Sequence, residues 1–335
     1  MEFFIEKLIT AIAFLSFTFI VLIFVFVFRE AAPIFSGTTE VRKEAVVAEE
    51  QETYGEEYLG EAQQLKVARE KEKISVEAAG EGTAGLENLR GETWQPVSSH
   101  PKYGLMPLIV GSLKVTVVAI LVAAPIAILA ALFTSAFAPR WAKEILKPAI
   151  EVLAGIPSVV VGFFALVVMA SVLQNIFGFE YRLNALVGGL ALSLAVIPII
   201  YTITEDALNA VPKVMTEASL ALGATKWQTA LFVVLPAATP GLFAAVLLGI
   251  GRAFGETMIV LMATGNAALL SGIVTEPVRT MSATIGAEMA EVVFGDTHYT
   301  VLFLIGSILF VFTFVLNAVA ELFVRRRLMR RFSGQ

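Results

Sequence analysis

The sequence predicts an all-α polytopic membrane protein with six transmembrane helices, and three observations carry that prediction. Of its 335 residues 57% are hydrophobic and 16% charged, with a mean hydropathy of +0.79, more apolar surface than a soluble core could bury. Six apolar runs approach or exceed the ~20 residues that a helix needs to cross a bilayer core: Leu8–Phe28, Leu113–Phe137, Ile150–Val172, Leu186–Ile203, Leu242–Met262 and Thr300–Phe323. Basic residues gather in short connections and at one end, as loops on the cytoplasmic face do.

The composition also excludes several classes of function. A net charge of -5 argues against a nucleic-acid partner, which would select a basic face. With no cysteine there is no disulfide, thiolate metal site or cysteine nucleophile, and His100 and His298 are too few for a histidine-rich metal centre.

In chain order, Leu8–Phe28 is longer than the apolar core of a signal peptide and opens among acids, so it reads as a retained anchor. Thr38–Lys102 differs in kind. Rich in Glu, Ala, Lys and Gln with sparse aromatics, it favours a solvated charged arm, with a helix plausible over Glu44–Val76. A docking surface for a soluble partner is the sharper alternative for this arm. Pro125, Pro157 and Pro198 fall in three successive runs; in lipid each frees a carbonyl that only a neighbouring helix or water can satisfy, which suggests bent helices around an internal path.

The tail Arg325, Arg326, Arg327, Arg330 and Arg331 is the strongest orientation signal. Placing it inside also puts Arg140, Lys143, Lys147 and the 212–236 stretch inside, with both termini cytoplasmic and the acidic arm outside.

That 212–236 stretch organises the rest. Pro212 suits a first helical turn, Lys213–Leu222 reads as a short helix, and Gly223 sits where a left-handed terminator costs least. Thr225 with Gln228 three residues on is a capping-box pattern, so a second helix starts at Lys226; Pro236 and Pro240 are expected to close the unit. This layout resembles the coupling loop of ABC-importer permeases. Glu217, Ala218, Gly223, Val233, Leu235 and Pro236 fall in register on that loop's pattern, with Ser219 in place of its second Ala. The resemblance implies a cytoplasmic elbow that docks into a separate ATPase subunit.

The richest chemistry is GIGRAFGETMIV, Gly249–Val260. A charged side chain near the centre of a span costs on the order of 3 kcal/mol or more unless paired or wetted. Arg252 and Glu256, at i and i+4, are expected to share a helix face and to bond each other. Two readings stand: a mutually neutralising structural pair, or Arg252 facing the path of an anionic substrate with Glu256 setting its orientation. Ser158, Thr257 and Asn266 are further polar candidates for that path. In TMSATIGAEMAE, small residues and Thr suit a short re-entrant or surface helix, while Glu288, Glu291 and Asp296 read as solvated.

With Trp94-x-Pro96, GLMPLIVGSLKVT, EVLAGIPSVVVGF, the coupling loop, GRAFGETMIVLMATGN and the basic tail in this order, the chain resembles the phosphate ABC-transporter permease family, closest to its C-type subunit. Gly-Glu-Thr-Met running to Gly265-Asn266 is the C-type feature. The resemblance covers about Gly104–Arg327 and leaves the acidic arm outside it.

It implies a type I, MetI-like permease core over 107–327, after an anchor over 1–37 and an extracytoplasmic arm over 38–106, with a basic tail at 328–335. It further implies a non-catalytic subunit of a bacterial inner-membrane phosphate importer. Its partners would be an A-type permease subunit, two ATP-binding cassette ATPase subunits, an extracytoplasmic phosphate-binding protein and membrane lipid. Arg252 and Glu256, with Thr257, Ser158 and Asn266, become substrate-path residues, and Glu217, Ala218, Gly223, Leu235 and Pro236 coupling residues. No cofactor or metal is implied, and the chain has no Gly-Lys dipeptide from which a nucleotide-binding phosphate loop could be built.

Permeases for sulfate, molybdate or tungstate, and the A-type subunit, are the alternatives within the class. A secondary carrier would be expected to show inverted repeats, and no second copy of the Arg252 to Glu256 pattern occurs. A membrane-embedded hydrolase lacks a plausible catalytic set.

Overall fold

The computed structural model describes Thr18 and residues 21–36, 86–98 and 101–332. The expected anchor Leu8–Phe28 lies largely outside the described residues, its visible end belonging to a helix over 21–31, and the helix expected over Glu44–Val76 lies wholly outside them. Among the described residues five helices are long and apolar enough to cross a membrane: Met106–Phe137, Ser158–Phe177, Ala185–Asn209, Lys226–Gly255 and Thr297–Leu322. Two compact units form, one from the chain up to Met106 with Glu288–Ile308, the other from Pro107–Ala287 with the chain from Leu309 onward.

The larger unit is built around Ala185–Asn209. Asn184 caps this helix, its Oδ1 accepting from the Val187 N–H at 2.9 Å. Lipid offers no hydrophobic drive between helices, so close packing must hold them together, and small residues line the seams. Ala119, Ala123, Ala127 and Ala131 recur at i+4 along Met106–Leu132, each fully buried. A Cβ on Gly189 would lie 2.5 Å from the Val118 side chain, so only hydrogen fits at that crossing. Leu235–Gly255 runs antiparallel along the same central helix: Gly241 abuts Ala207 and Gly249 abuts Ile200.

Among the span boundaries that differ from the sequence expectation, two have a reason in proline chemistry. Ile150–Val172 is not one helix. Arg140–Gly155 is a separate amphipathic helix, Ile156 is extended at φ -67° and ψ 125°, and the span restarts at Ser158. Pro157 pushes the residue before it out of the helical region, so it ends a helix rather than kinking one. Conversely, Pro236 and Pro240 do not close the coupling unit, because one helical run continues from Lys226 to Gly255. A π-turn over Ala230–Val234 explains this. The Leu235 N–H bonds back to the Ala230 carbonyl, the wider turn accommodating the proline that follows. Pro125 and Pro198 do lie inside spans.

Near its polar edge this unit holds an ion pair that sequence reasoning did not identify. Lys147 Nζ lies 3.0 Å from Glu205 Oε1, and Glu205 is 5% exposed. The hydrogen bond to Glu205 holds the Lys147 ammonium charged to higher pH than usual. Beside it, Ser135 Oγ bonds Asn209 Oδ1 at 3.1 Å.

In the smaller unit, part of the expected solvated arm is folded. Trp94–Gln95 pairs antiparallel with Lys102–Tyr103, Trp94 opposite Tyr103. Gly91 and Gly104 pack backbone to backbone, a Cβ on Gly104 falling 2.4 Å from the Gly91 carbonyl oxygen. Trp94, Tyr103 and His298 are buried against one another. Glu288 is not solvated: its carboxylate accepts from Trp94 Nε1 at 3.1 Å and pairs with His298 Nε2 at 2.8 Å. Asp296 also has a structural task, its Oδ1 accepting from the Thr297 N–H at the start of the last helix. Glu291 is exposed, as expected. Burial, and then the Asp296 charge, push the Tyr103 phenol up to about 12.

Candidate functional site

Two regions hold most of the residues that the sequence singles out: an elbow over 212–229 and a break in the span that follows it. In the elbow, Pro212 is the residue just before the helix Lys213–Ala221, and Gly223 turns the chain at φ +85°. The capping box forms in full. Gln228 N–H donates to Thr225 Oγ1 at 3.3 Å, and Thr225 N–H donates to Gln228 Oε1 at 2.8 Å. Ser219 Oγ and Thr229 Oγ1 lie 2.9 Å apart, a hydroxyl bridge between the two helices that the alanine of the resembling pattern could not make.

Glu217 and Ala218 are exposed, while Leu235 and Pro236 lie beyond the turn, in the continuous helix. The elbow carries solvent-exposed apolar side chains of unusual size for a polar loop, with Leu222 at 89% and Trp227 at 60% exposure. Trp227 also stacks on Phe137, ring centroids 4.3 Å apart.

The second region is where the span ends. Leu235–Gly255 stops at Gly255, Glu256 is extended at φ -69° and ψ 132°, and a new short helix runs Met258–Ala263. Glu256 is the C-cap of the helix that carries Arg252, and no ion pair joins the two among the described residues. The ψ of Glu256 turns the chain out of the helix at that residue. Arg252 instead sits in the last helical turn, exposed, where a cation is favoured by the carbonyl end of the helix.

The break is held from several sides. Ser282 Oγ donates to the Glu256 carbonyl at 2.6 Å. A Cβ on Gly286 would meet Thr257 Cγ2 at 2.5 Å, and one on Gly162 would meet the Met258 carbonyl at 3.1 Å. Met281–Glu288 accordingly packs its first half on the break, Met281 to Thr284 all buried, while its second half is partly exposed.

Ser158 opens the span that carries Gly162 one turn on, and is half-buried. Asn266 lies past the short helix, left-handed at φ 48°, with its Oδ1 buried and without a hydrogen-bond partner among the described residues. Met258–Ala263 separates it from the break by about 9 Å of helical rise. Arg252, Glu256, Thr257 and Asn266 therefore string out along one segment, and Ser158 stands on a separate span. Sequence reasoning missed Ser282, whose only signal was its place in the small-residue run 281–288. Among the described residues no cluster of three or more His, Cys, Asp or Glu could hold a metal ion.

Comparison with known proteins matches this architecture. Residues 123–329 match the family described as binding-protein-dependent transport system inner membrane component. The chain is 38% identical over 246 residues to a probable ABC transporter permease protein YqgH of Bacillus subtilis, covering 73% of this chain and 80% of that protein. It is 35% identical over 263 residues to the phosphate transport system permease protein PstC of Mesorhizobium japonicum, with the same coverage of each. In fold alone it is similar to a chain of a bacterial ABC transporter involved in import of the acidic polysaccharide alginate. There the TM-score is 0.52 at 15% identity, covering 76% of this chain and 89% of that one. A helical bundle with an exposed apolar elbow and a broken span, matched over most of its length by such relatives, belongs to the binding-protein-dependent transport system inner membrane components, the permease subunits of ABC importers.

Proposed function

We propose that this chain is a permease subunit of an ATP-driven phosphate importer. The observation that carries the proposal is its similarity, at 35% identity across 73% of the chain, to a protein named as a phosphate transport permease. The subunit pairs with a second permease of A type, sits on two ATPase subunits and receives phosphate from an extracytoplasmic binding protein. It hydrolyses no ATP itself. The basic residues Arg140, Lys143 and Lys147 and the arginine tail support a cytoplasmic elbow and cytoplasmic termini. With that orientation, residues 107–327 form the permease domain and 38–106 an outer arm.

The mechanism follows from the two regions above. ATP-driven closure of the ATPase subunits moves the elbow, which they grip through its exposed apolar residues around Glu217, Ala218 and Gly223. Leu235 and Pro236 lie in a helix that runs unbroken to Gly255, so a displacement at the elbow reaches Arg252 as a rigid-body movement. Arg252 has no hydrogen-bond or ion-pair partner among the described residues and sits exposed in the last turn of an apolar span, so an anion or water must compensate its charge. Its planar guanidinium offers paired donors to a tetrahedral oxyanion. Glu256, Thr257, Ser158 and Asn266 line the route on the outer side of that cation, with Glu256 held at the break by Ser282.

The test is uptake of radiolabelled phosphate by the assembled transporter in proteoliposomes, with sulfate and molybdate as competitors. Phosphate should be taken up and the competitors ignored, and Arg252→Gln should abolish uptake while the complex still assembles. Preferred uptake of sulfate or molybdate would refute the substrate; full activity of Arg252→Gln would refute the path.

A further inference from the structure

We infer that Asn317, on the last span, is a further polar residue of the anion path, acting beside Arg252. The inference rests on the reading of Arg252 given above and adds a residue that the sequence pattern does not single out. Two contacts within the larger unit place it. The rings of Phe254 and Phe312 lie 4.1 Å apart, and a Cβ on Gly251 would lie 3.5 Å from Asn317 Oδ1. The last span therefore runs antiparallel across the final turns of Leu235–Gly255, and the carboxamide of Asn317 rests over the bare backbone of Gly251. Arg252 is the next residue along and is exposed.

Asn317 lies within an apolar span, Thr297–Leu322, and is itself exposed, with no hydrogen bond among the described residues. An amide in an apolar medium without a partner costs roughly 1–3 kcal/mol. Something outside this chain must satisfy it, and its contact with Gly251, the residue before the exposed Arg252, points to the same hydrated anion. The chemistry fits that ligand. Arginine only donates, whereas a carboxamide both donates and accepts. Phosphate near neutral pH still carries an O–H, so Asn317 Oδ1 accepts that hydrogen while its N–H₂ donates to a bare oxygen; sulfate has no hydrogen to offer. A neutral amide also leaves the local charge to Arg252, where a carboxylate would repel the anion. Glu321, one turn further, is exposed too, but it directly precedes the arginine run from Arg325 at helical spacing.

The chain has no cysteine, so Asn317→Cys introduces a single thiol into this subunit. In the complete transporter with cysteine-free partners, that thiol should react with an anionic, water-borne methanethiosulfonate, and phosphate should slow the reaction. Asn317→Leu should lower phosphate uptake about tenfold, the loss of one hydrogen bond to a charged ligand. The yield of assembled complex should be unchanged. An inert thiol, as lipid or a packed partner helix would give, overturns the inference, and so does wild-type uptake by Asn317→Leu. Arg252→Gln assayed in parallel separates the two readings. If it transports normally, the path itself is misassigned and Asn317 falls with it. If it is inactive while the Asn317 variants behave as wild type, only the present inference fails.

Discussion

Gly223 offers the sharpest test of the elbow, because its cost can be assigned to one cause. The residue turns the chain at φ +85°, and a Cβ added there would meet nothing within 4 Å. Any penalty for substitution within this chain is therefore backbone strain and not a clash. For an L-residue with a side chain the left-handed region costs roughly 1–2 kcal/mol, more for a β-branched one. At about 2 kcal/mol a local equilibrium between the formed and unformed turn shifts roughly 30-fold, a factor of ten for each 1.4 kcal/mol. The capping box at Thr225 still starts the second helix, but its angle to the first then rests on the Ser219–Thr229 bridge alone and no longer on the turn.

The assay is phosphate transported per ATP hydrolysed by the reconstituted complex for Gly223→Asn, Gly223→Ala and Gly223→Val. Asn visits the left-handed region routinely and should stay near wild type, Ala should fall between, and Val should hydrolyse ATP while transporting several-fold less. Transport by the Val variant at the wild-type ratio would refute the role of the turn. Equal damage from Asn and Val would show that bulk against the partner's surface matters and backbone geometry does not.

Other outcomes follow from the packing. Lys147→Met leaves Glu205 buried without its cation and should destabilise the permease by about 1–3 kcal/mol, read as a lowered Tm in detergent; adding Glu205→Gln should recover part of that loss. Because the pair raises Lys147 above its ordinary 10.5, its contribution is fully present below that pH and is lost as pH rises through the folded value. Tyr103, raised from 10.0 to about 12, contributes stability that is complete below pH 10 and disappears between there and about 12. Ultraviolet titration should therefore show a late phenolate step that Tyr103→Phe removes.

Local chemistry accounts for what the sequence conveyed well. The elbow was readable because each of its signals, Pro212, Gly223 and the Thr225–Gln228 box, acts over a few residues of backbone. The span at Ile150–Val172 was misread because hydropathy does not register where a helix breaks. Pro157 gave that signal and was weighed as a kink. Glu288 was misread as solvated because nothing in its neighbourhood along the chain announces Trp94 or His298.

The sequence by itself determined the membrane class and the elbow, since these depend on composition and turn chemistry. Only the tertiary structure decided that Ser282 pins the break at Glu256 and that Asn317 lies against Gly251. Those are contacts between residues far apart in the chain. Their formation depends on which helices pack together and at what register, and no periodicity within one helix encodes it.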